Sequence, residues 1–204
     1  MPPCISGISW PARFFLCCLL AWILFLVPAA GAGEVHLLTY DGPITPVAAE
    51  FLLQGIERAE DVGAEAIVIQ LDTPGGLDDS MRDIVKAELA SQVPVVIFVS
   101  PAGSRAASAG AFITIAAHVA AMAPETNIGS ASPVQMGGAG MDSTMASKVK
   151  NDAAAYIASI AEDKGRNVDV ARAFVTEAHN LTAAEALEQG VIEFVAPNLA
   201  ALVD

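Results

Sequence analysis

The residues of this chain best suited to chemistry lie in Ser104-Arg105-Ala106-Ala107-Ser108-Ala109-Gly110-Ala111-Phe112-Ile113. The run follows 95–99, five β-branched or aromatic residues that read as a buried strand. It leads into 109–117, small and apolar, which reads as a buried helix. Ser108 therefore stands at a helix start with nothing bulky beside it. A hydroxyl placed there is set to attack a carbonyl, and first-turn N–H groups are oriented to hold the oxyanion that forms. Serine in this position is equally an ordinary N-cap, and this stretch alone leaves both readings open.

A second loop, Asp72-Thr73-Pro74-Gly75-Gly76, ends the preceding strand and sets a rigid Pro before two glycines. Glycines let backbone amides come close to a ligand. An oxyanion hole made from the Gly76 and Ala109 N–H groups suits acyl transfer. The other reading is a tight turn. Neither the G-x-G-x-x-G spacing nor G-K-[ST] is present, so dinucleotide and P-loop chemistry are not indicated. The sequence around Ser108 also lacks the G-x-S-x-G elbow of α/β-hydrolases.

A serine nucleophile needs a base. His36, His118 and His179 sit in no motif and read as surface or loop residues. The lysines are Lys86, Lys148, Lys150 and Lys164, and a lysine serves as base only in its neutral form. Lys148 and Lys150 follow a Gly- and Met-rich loop at the start of a long helix. Two apart, they face different sides: Lys148 shares one with Asp152 and Lys150 another with Ala154 and Ile157. Periodicity does not choose between them.

The positioning elements alternate. Strands are read at 35–40, 66–71, 95–99, 119–123 and 190–195; helices at 45–61, 77–91, 109–117, 143–163 and 182–189. Residues 127–133 read as a loop, 134–142 as a mobile one, and 168–176 is left unassigned. Continuous apolar strands between helices imply a parallel sheet covered on both faces, with ligands at the carboxyl ends of its strands. The two loops follow consecutive strands and should be neighbours.

Residues 1–32 read as a secretory signal peptide. An apolar run at 14–27 follows Arg13, and Ala30-Gly31-Ala32 fits a cleavage site, although an uncleaved anchor is the other reading. Export to the periplasm or extracytoplasmic face follows, with a single domain over 33–204. Cys4, Cys17 and Cys18 all lie in the signal, so the mature chain has neither disulfide nor thiolate metal site, and no metal or cofactor is expected. The mature chain sets 9 basic residues against 23 acidic ones, which argues against nucleic acid and anionic membrane surfaces as partners.

Several motifs together resemble the NfeD family of membrane-associated serine proteases, of the ClpP/crotonase superfamily and similar to signal peptide peptidase A. These are Asp72–Gly76, Ala107-Ser108-Ala109-Gly110, Met122-Ala123-Pro124 with Asn127-Ile128-Gly129, Lys148 with Asn151, Gly165-Arg166-Asn167, and Leu181–Leu187 with Gly190-Val191-Ile192. The resemblance implies a spiral parallel-sheet core with helices packed on it and a Ser-Lys dyad of Ser108 and Lys148. It favours Lys148 over Lys150 as base. It also implies action on hydrophobic segments of stomatin-like membrane proteins, and a homodimer. A crotonase-like acyl-CoA enzyme and a non-catalytic scaffold of the same fold are the alternatives. Longer family members continue into membrane helices and a small β-barrel, to which nothing here corresponds.

Overall fold

The computed structural model describes residues 33–134 and 142–203. The signal-peptide segment and all of the Gly- and Met-rich loop but its end residues lie outside the described residues. A five-stranded, all-parallel sheet runs in the order β1 (Val35–Asp41), β2 (Ala66–Asp72), β3 (Val95–Val99), β5 (Val119–Met122) and β8 (Phe194–Val195). A second sheet of three short strands comprises β4 (Arg105–Ala107), parallel to β6 (Asn127–Gly129), and β7 (Asn180–Thr182), antiparallel to β6.

Helix α1 (Pro46–Asp61) starts as its sequence dictates. Pro46 lies in the first turn, and the Thr45 hydroxyl accepts from the Ala48 N–H at 3.2 Å. Together with α2 (Asp78–Ala90) and α3 (Ala109–Ala116), it covers one face of the sheet. Leu52, Ile56, Met81 and Ile84 interlock there with Ile67, Ile69, Ile97 and Val99. The opposite face is covered less fully than the apolar strands imply. Val68, Phe98 and Ala121 lie under α7 (Leu199–Val203), while Leu37 of β1 and Phe194 of β8 are 46% and 53% exposed at the two edges. Gln70 interrupts that face and bonds Ser100 and Thr39 at 3.1 and 3.2 Å.

Residues 143–163 form the helix expected there, α4 (Ser143–Asp163), with Asp142 as its cap. It packs on α5 (Val168–Thr176), the segment that the pattern left unassigned. Helix α6 (Ala183–Glu188) begins with a capping box of Thr182 and Glu185. Residues 127–129 are a strand rather than loop, 180–182 form a strand that the pattern did not mark, and only 194–195 of the final expected strand pair with the sheet. Val191 and Ile192 instead bury themselves in the turn before β8.

All eight residues of α3 are buried, so its ends need polar partners from elsewhere. Buried Arg166 supplies them at the C-terminal end. Its Nη1 donates to the carbonyls of Ile115 (2.6 Å) and Ala117 (2.9 Å), while Nε and Nη2 reach the Glu193 carboxylate at 3.0 and 2.7 Å. Glu88 of α2 is fully buried, and its carboxyl oxygens find no hydrogen-bond partner among the described residues. Burial pushes the Glu88 carboxyl well above the usual range, against the opposing pull of Arg166 and Lys164.

A raised folded-state pKa makes the protonated form the stable one. The contribution is complete below the unfolded value near 4.5 and is lost as pH rises towards the folded value. Glu88→Gln removes that loss. In urea unfolding, its stability advantage over the wild type should widen by at least about 1 kcal/mol between about pH 5.5 and about pH 8. A pH-independent difference would contradict the burial argument.

Candidate active site

Ser108 joins β4 to α3 with φ 52° and ψ −113°, a backbone conformation that side-chain-bearing residues rarely adopt. The surroundings impose it. The Ser108 N–H donates to the Gly129 carbonyl at 2.9 Å, and the Ser108 carbonyl accepts from the Ala111 N–H at 3.0 Å. The residue occupies the N-cap position, yet its hydroxyl makes no capping bond. The ordinary N-cap reading is therefore set aside, because the positive φ turns the side chain from the first-turn amides that a cap would serve.

The glycine loop is locked against this turn. The Thr73 N–H donates to the Arg105 carbonyl at 2.8 Å, the Ala107 N–H donates to the Thr73 carbonyl at 3.1 Å, and the Asp72 carboxylate accepts from the Arg105 N–H at 3.0 Å. Asp72 thus ties the two loops together. Contact is close enough to require the glycines. A Cβ on Gly75, which has φ +106°, would stand 2.6 Å from Ser108 Cβ, and one on Gly76 would overlap the Ile44 carbonyl. A Cβ on Gly110 would stand 2.5 Å from Thr73 Cγ2.

Ser108, Gly76, Ala109 and Lys148 line one cavity of about 660 Å³. The Ala109 N–H, first of α3, has no acceptor within the helix, and the Gly76 N–H meets no backbone acceptor among the described residues. The four residues singled out in the sequence are therefore brought together. Lys150 is not with them: its Nζ donates to the Thr176 carbonyl at the end of α5, at 2.6 Å. Lys148 lies in the second turn of α4, past the reach of the helix dipole, and pairs with no carboxylate among the described residues.

No histidine lines this cavity. The His118 Nδ1 accepts from the Val95 N–H at 3.2 Å, and burial pushes that imidazole below its usual range, helped by Lys164 and Arg166. His179 stacks on Phe174, and His36 lies in β1. Ser132 donates to the Val175 carbonyl at 2.6 Å.

The cavity walls are largely apolar, with Leu77, Met81, Phe112, Val149 and Ala153. Their charged members are Asp78, Arg82, Lys148 and Asp152. The sequence reading missed Arg82. Its Nε bonds Asp78 at 2.7 Å, its Nη2 bonds Asp152 at 2.6 Å, and its guanidinium lies 4.4 Å from the centre of the Tyr156 ring. Only the Asp78–Arg82 spacing of four residues on one helix was visible in the sequence.

The backbone at Ser108 predicts a stability signature. Ser108→Gly relieves the positive φ and should raise the melting temperature by about 2–4 °C, whereas Ser108→Ala should not. Equal melting temperatures for the two variants would contradict a strained turn.

The comparisons with known proteins bear on the same region. The model of the NfeD1b N-terminal domain matches residues 34–201. The membrane-bound protease PH1510 of Pyrococcus horikoshii is 39% identical over 189 residues, which is 92% of this chain but only 43% of that protein. Two solved structures superpose on this chain. One is a serine-to-alanine mutant of the 1510-N membrane-bound stomatin-specific protease, 40% identical with TM-score 0.77, covering 84% of this chain and 83% of the other. The second is a lysine-to-alanine mutant of that protease in complex with a substrate peptide, 38% identical with TM-score 0.79, covering 85% and 80%. The spiral α/β fold implied by the sequence motifs is the fold shared with these structures, and the chain belongs to the NfeD1b N-terminal domain family.

Proposed function

We propose that this chain is a serine endopeptidase that works through a Ser-Lys dyad. The observation that carries the reading is the convergence of Ser108, Lys148 and the amides of Gly76 and Ala109 on one largely apolar cavity. Neutral Lys148 takes the Ser108 proton as Oγ bonds to the substrate carbonyl carbon. The C–O π pair moves onto oxygen, and the two amides stabilise that oxyanion. Collapse of the tetrahedral adduct breaks the C–N bond while Lys148 returns its proton to the leaving amine. Water, deprotonated by the same lysine, then hydrolyses the acyl-enzyme. The strain at Ser108 and the absence of a capping bond favour this role, because they leave the hydroxyl free in a conformation that the fold must maintain.

The likeness to a stomatin-specific protease, and to its complex with a substrate peptide, supports a hydrophobic segment of a stomatin-like membrane protein as substrate. The apolar walls suit such a segment. Action as a homodimer at the periplasmic or extracytoplasmic face belongs to the same reading, as does a membrane association like that in the printed name of the Pyrococcus protein. No helix among the described residues is long and apolar enough to cross a membrane. An acyl-CoA enzyme is less well served. Its ligand's phosphates need several free cations, and of the two basic side chains in this cavity Arg82 is already paired with two carboxylates.

A fluorophosphonate probe tests the dyad in the full chain. Labelling should be lost in Ser108→Ala, fall about 100-fold or more in Lys148→Ala, and stay within about threefold of the wild type in Lys150→Ala. A folded wild type that never labels would overturn the protease reading. Loss in Lys150→Ala rather than Lys148→Ala would reassign the base.

A further inference from the structure

The cavity beside Ser108 has two unlike ends. Leu77, Val149 and Val134 are 37–84% exposed and stand at its mouth, whereas Met81, Ala131, Phe112 and Ala153 are 2–5% exposed and form an inner recess. One comes from each of α2, α3 and α4 and one from the segment after β6, and all four are apolar. A recess of this kind takes an apolar side chain and rejects a charge. Phe112 stands one turn into α3 from Ser108, so the recess lies beside the nucleophile. The side chain that reaches it belongs to the residue whose carbonyl Ser108 attacks. Two alanines leave the recess open, and its depth is set by the Phe112 ring. That ring is backed by others. It stacks on Tyr156 at 6.0 Å with 25° between the planes, and the Arg82 guanidinium lies 4.4 Å from the centre of the Tyr156 ring. Arg82 is itself bonded to Asp78 at 2.7 Å and Asp152 at 2.6 Å, which ties the stack to both α2 and α4.

We propose that Phe112, backed by Tyr156, is the specificity-determining floor of this recess: it admits an aliphatic side chain of Leu or Met length next to the scissile bond and turns aromatic rings away. The inference rests on the protease reading above and deepens it. Apolar walls indicate an apolar substrate in general, while the floor selects among apolar side chains. An aliphatic chain fills the room that Ala131 and Ala153 leave. An aromatic ring would have to displace one already seated, and a close-packed stack pinned at its far side resists that displacement.

The test uses p-nitrophenyl esters of one short apolar peptide ending in Ala, Leu or Phe, with nitrophenolate release by the full chain read as kcat/KM. The wild type should favour Leu over Phe by about tenfold or more. In Phe112→Ala the Phe ester should gain about tenfold over the wild type and overtake the Leu ester. Tyr156→Ala, which withdraws the support, should move the Phe-to-Leu ratio in the same direction. Ala153→Leu, which fills the recess, should lower the Leu-to-Ala ratio about tenfold. A gain on the larger substrate cannot come from a damaged fold, and should Phe112→Ala fail to fold, the Ala153→Leu ratio decides. A wild type that takes Phe as readily as Leu, or variants that lose activity equally on every ester, would overturn the inference. Fluorescein-labelled amides of the same peptides, bound to Ser108→Ala and followed by anisotropy, should show the same order, inverted when Phe112→Ala is added. If that order and its inversion hold but wild-type Ser108 takes no phosphonate, the protease reading fails and the floor stands. If Ser108 labels and the ratios do not move, only the role of Phe112 fails.

Discussion

The site depends first on the pairing of two loops that the chain could have left independent. Thr73 exchanges backbone hydrogen bonds with Arg105 and Ala107, and the Asp72 carboxylate binds the Arg105 N–H, so the turn after β2 and the turn holding Ser108 form one unit. Contact is closer than any Cβ allows at Gly75, Gly76 or Gly110. Each glycine gives up the stability that a side chain would add and in return leaves room for its neighbour: Ser108 Cβ at Gly75, the Ile44 backbone at Gly76 and the Thr73 methyl at Gly110. Buried Thr73 supports this arrangement, its hydroxyl accepting from the Gly75 N–H at 3.1 Å. Ser108 then takes a backbone conformation that it would not choose alone.

A second constraint concerns charge. A buried helix whose N-terminus faces the cavity must have its C-terminal carbonyls satisfied, and Arg166 does this from within a cluster that also holds Glu193 and Glu88, whose carboxyl finds no hydrogen-bond partner among the described residues. At the other end of α3, Arg82 plays a comparable part for α4, joining Asp152 to Asp78 over the Tyr156 ring. Arg82 thus engages both of the acidic side chains that share the cavity with Ser108. The strong acidity of the chain thus stays compatible with a cavity in which Lys148 pairs with no carboxylate among the described residues.

Much of this was legible from residue types. The apolar runs at 66–71 and 95–99 mark strands with little ambiguity, and the capping residues Thr45 and Thr182 fix two helix starts. The neighbouring position of the two loops followed from strand order. Strands β4, β6 and β7 were not legible, because three residues carry too little periodicity to register. The exposed sheet edges were also hidden. A sheet covered on both faces is what the strands imply, yet Val35 and Leu37 sit exposed on its edge strand. Lys148 and Lys150 could not be separated by helical spacing. What separates them is the Thr176 carbonyl that captures Lys150, a contact between α4 and α5 that no local pattern encodes. Arg82 escaped notice for the same reason, since its second carboxylate lies 70 residues away.

The most direct test of the central claim is detection of the acyl-enzyme. The full chain is mixed with an activated ester of a short apolar peptide, quenched in acid within the first turnovers, and weighed intact before fragmentation. The account predicts a transient gain equal to the acyl group, localised to Ser108 and absent in Ser108→Ala. Hydrolysis that proceeds with no adduct on Ser108, or that continues at the wild-type rate in Ser108→Ala, would contradict it.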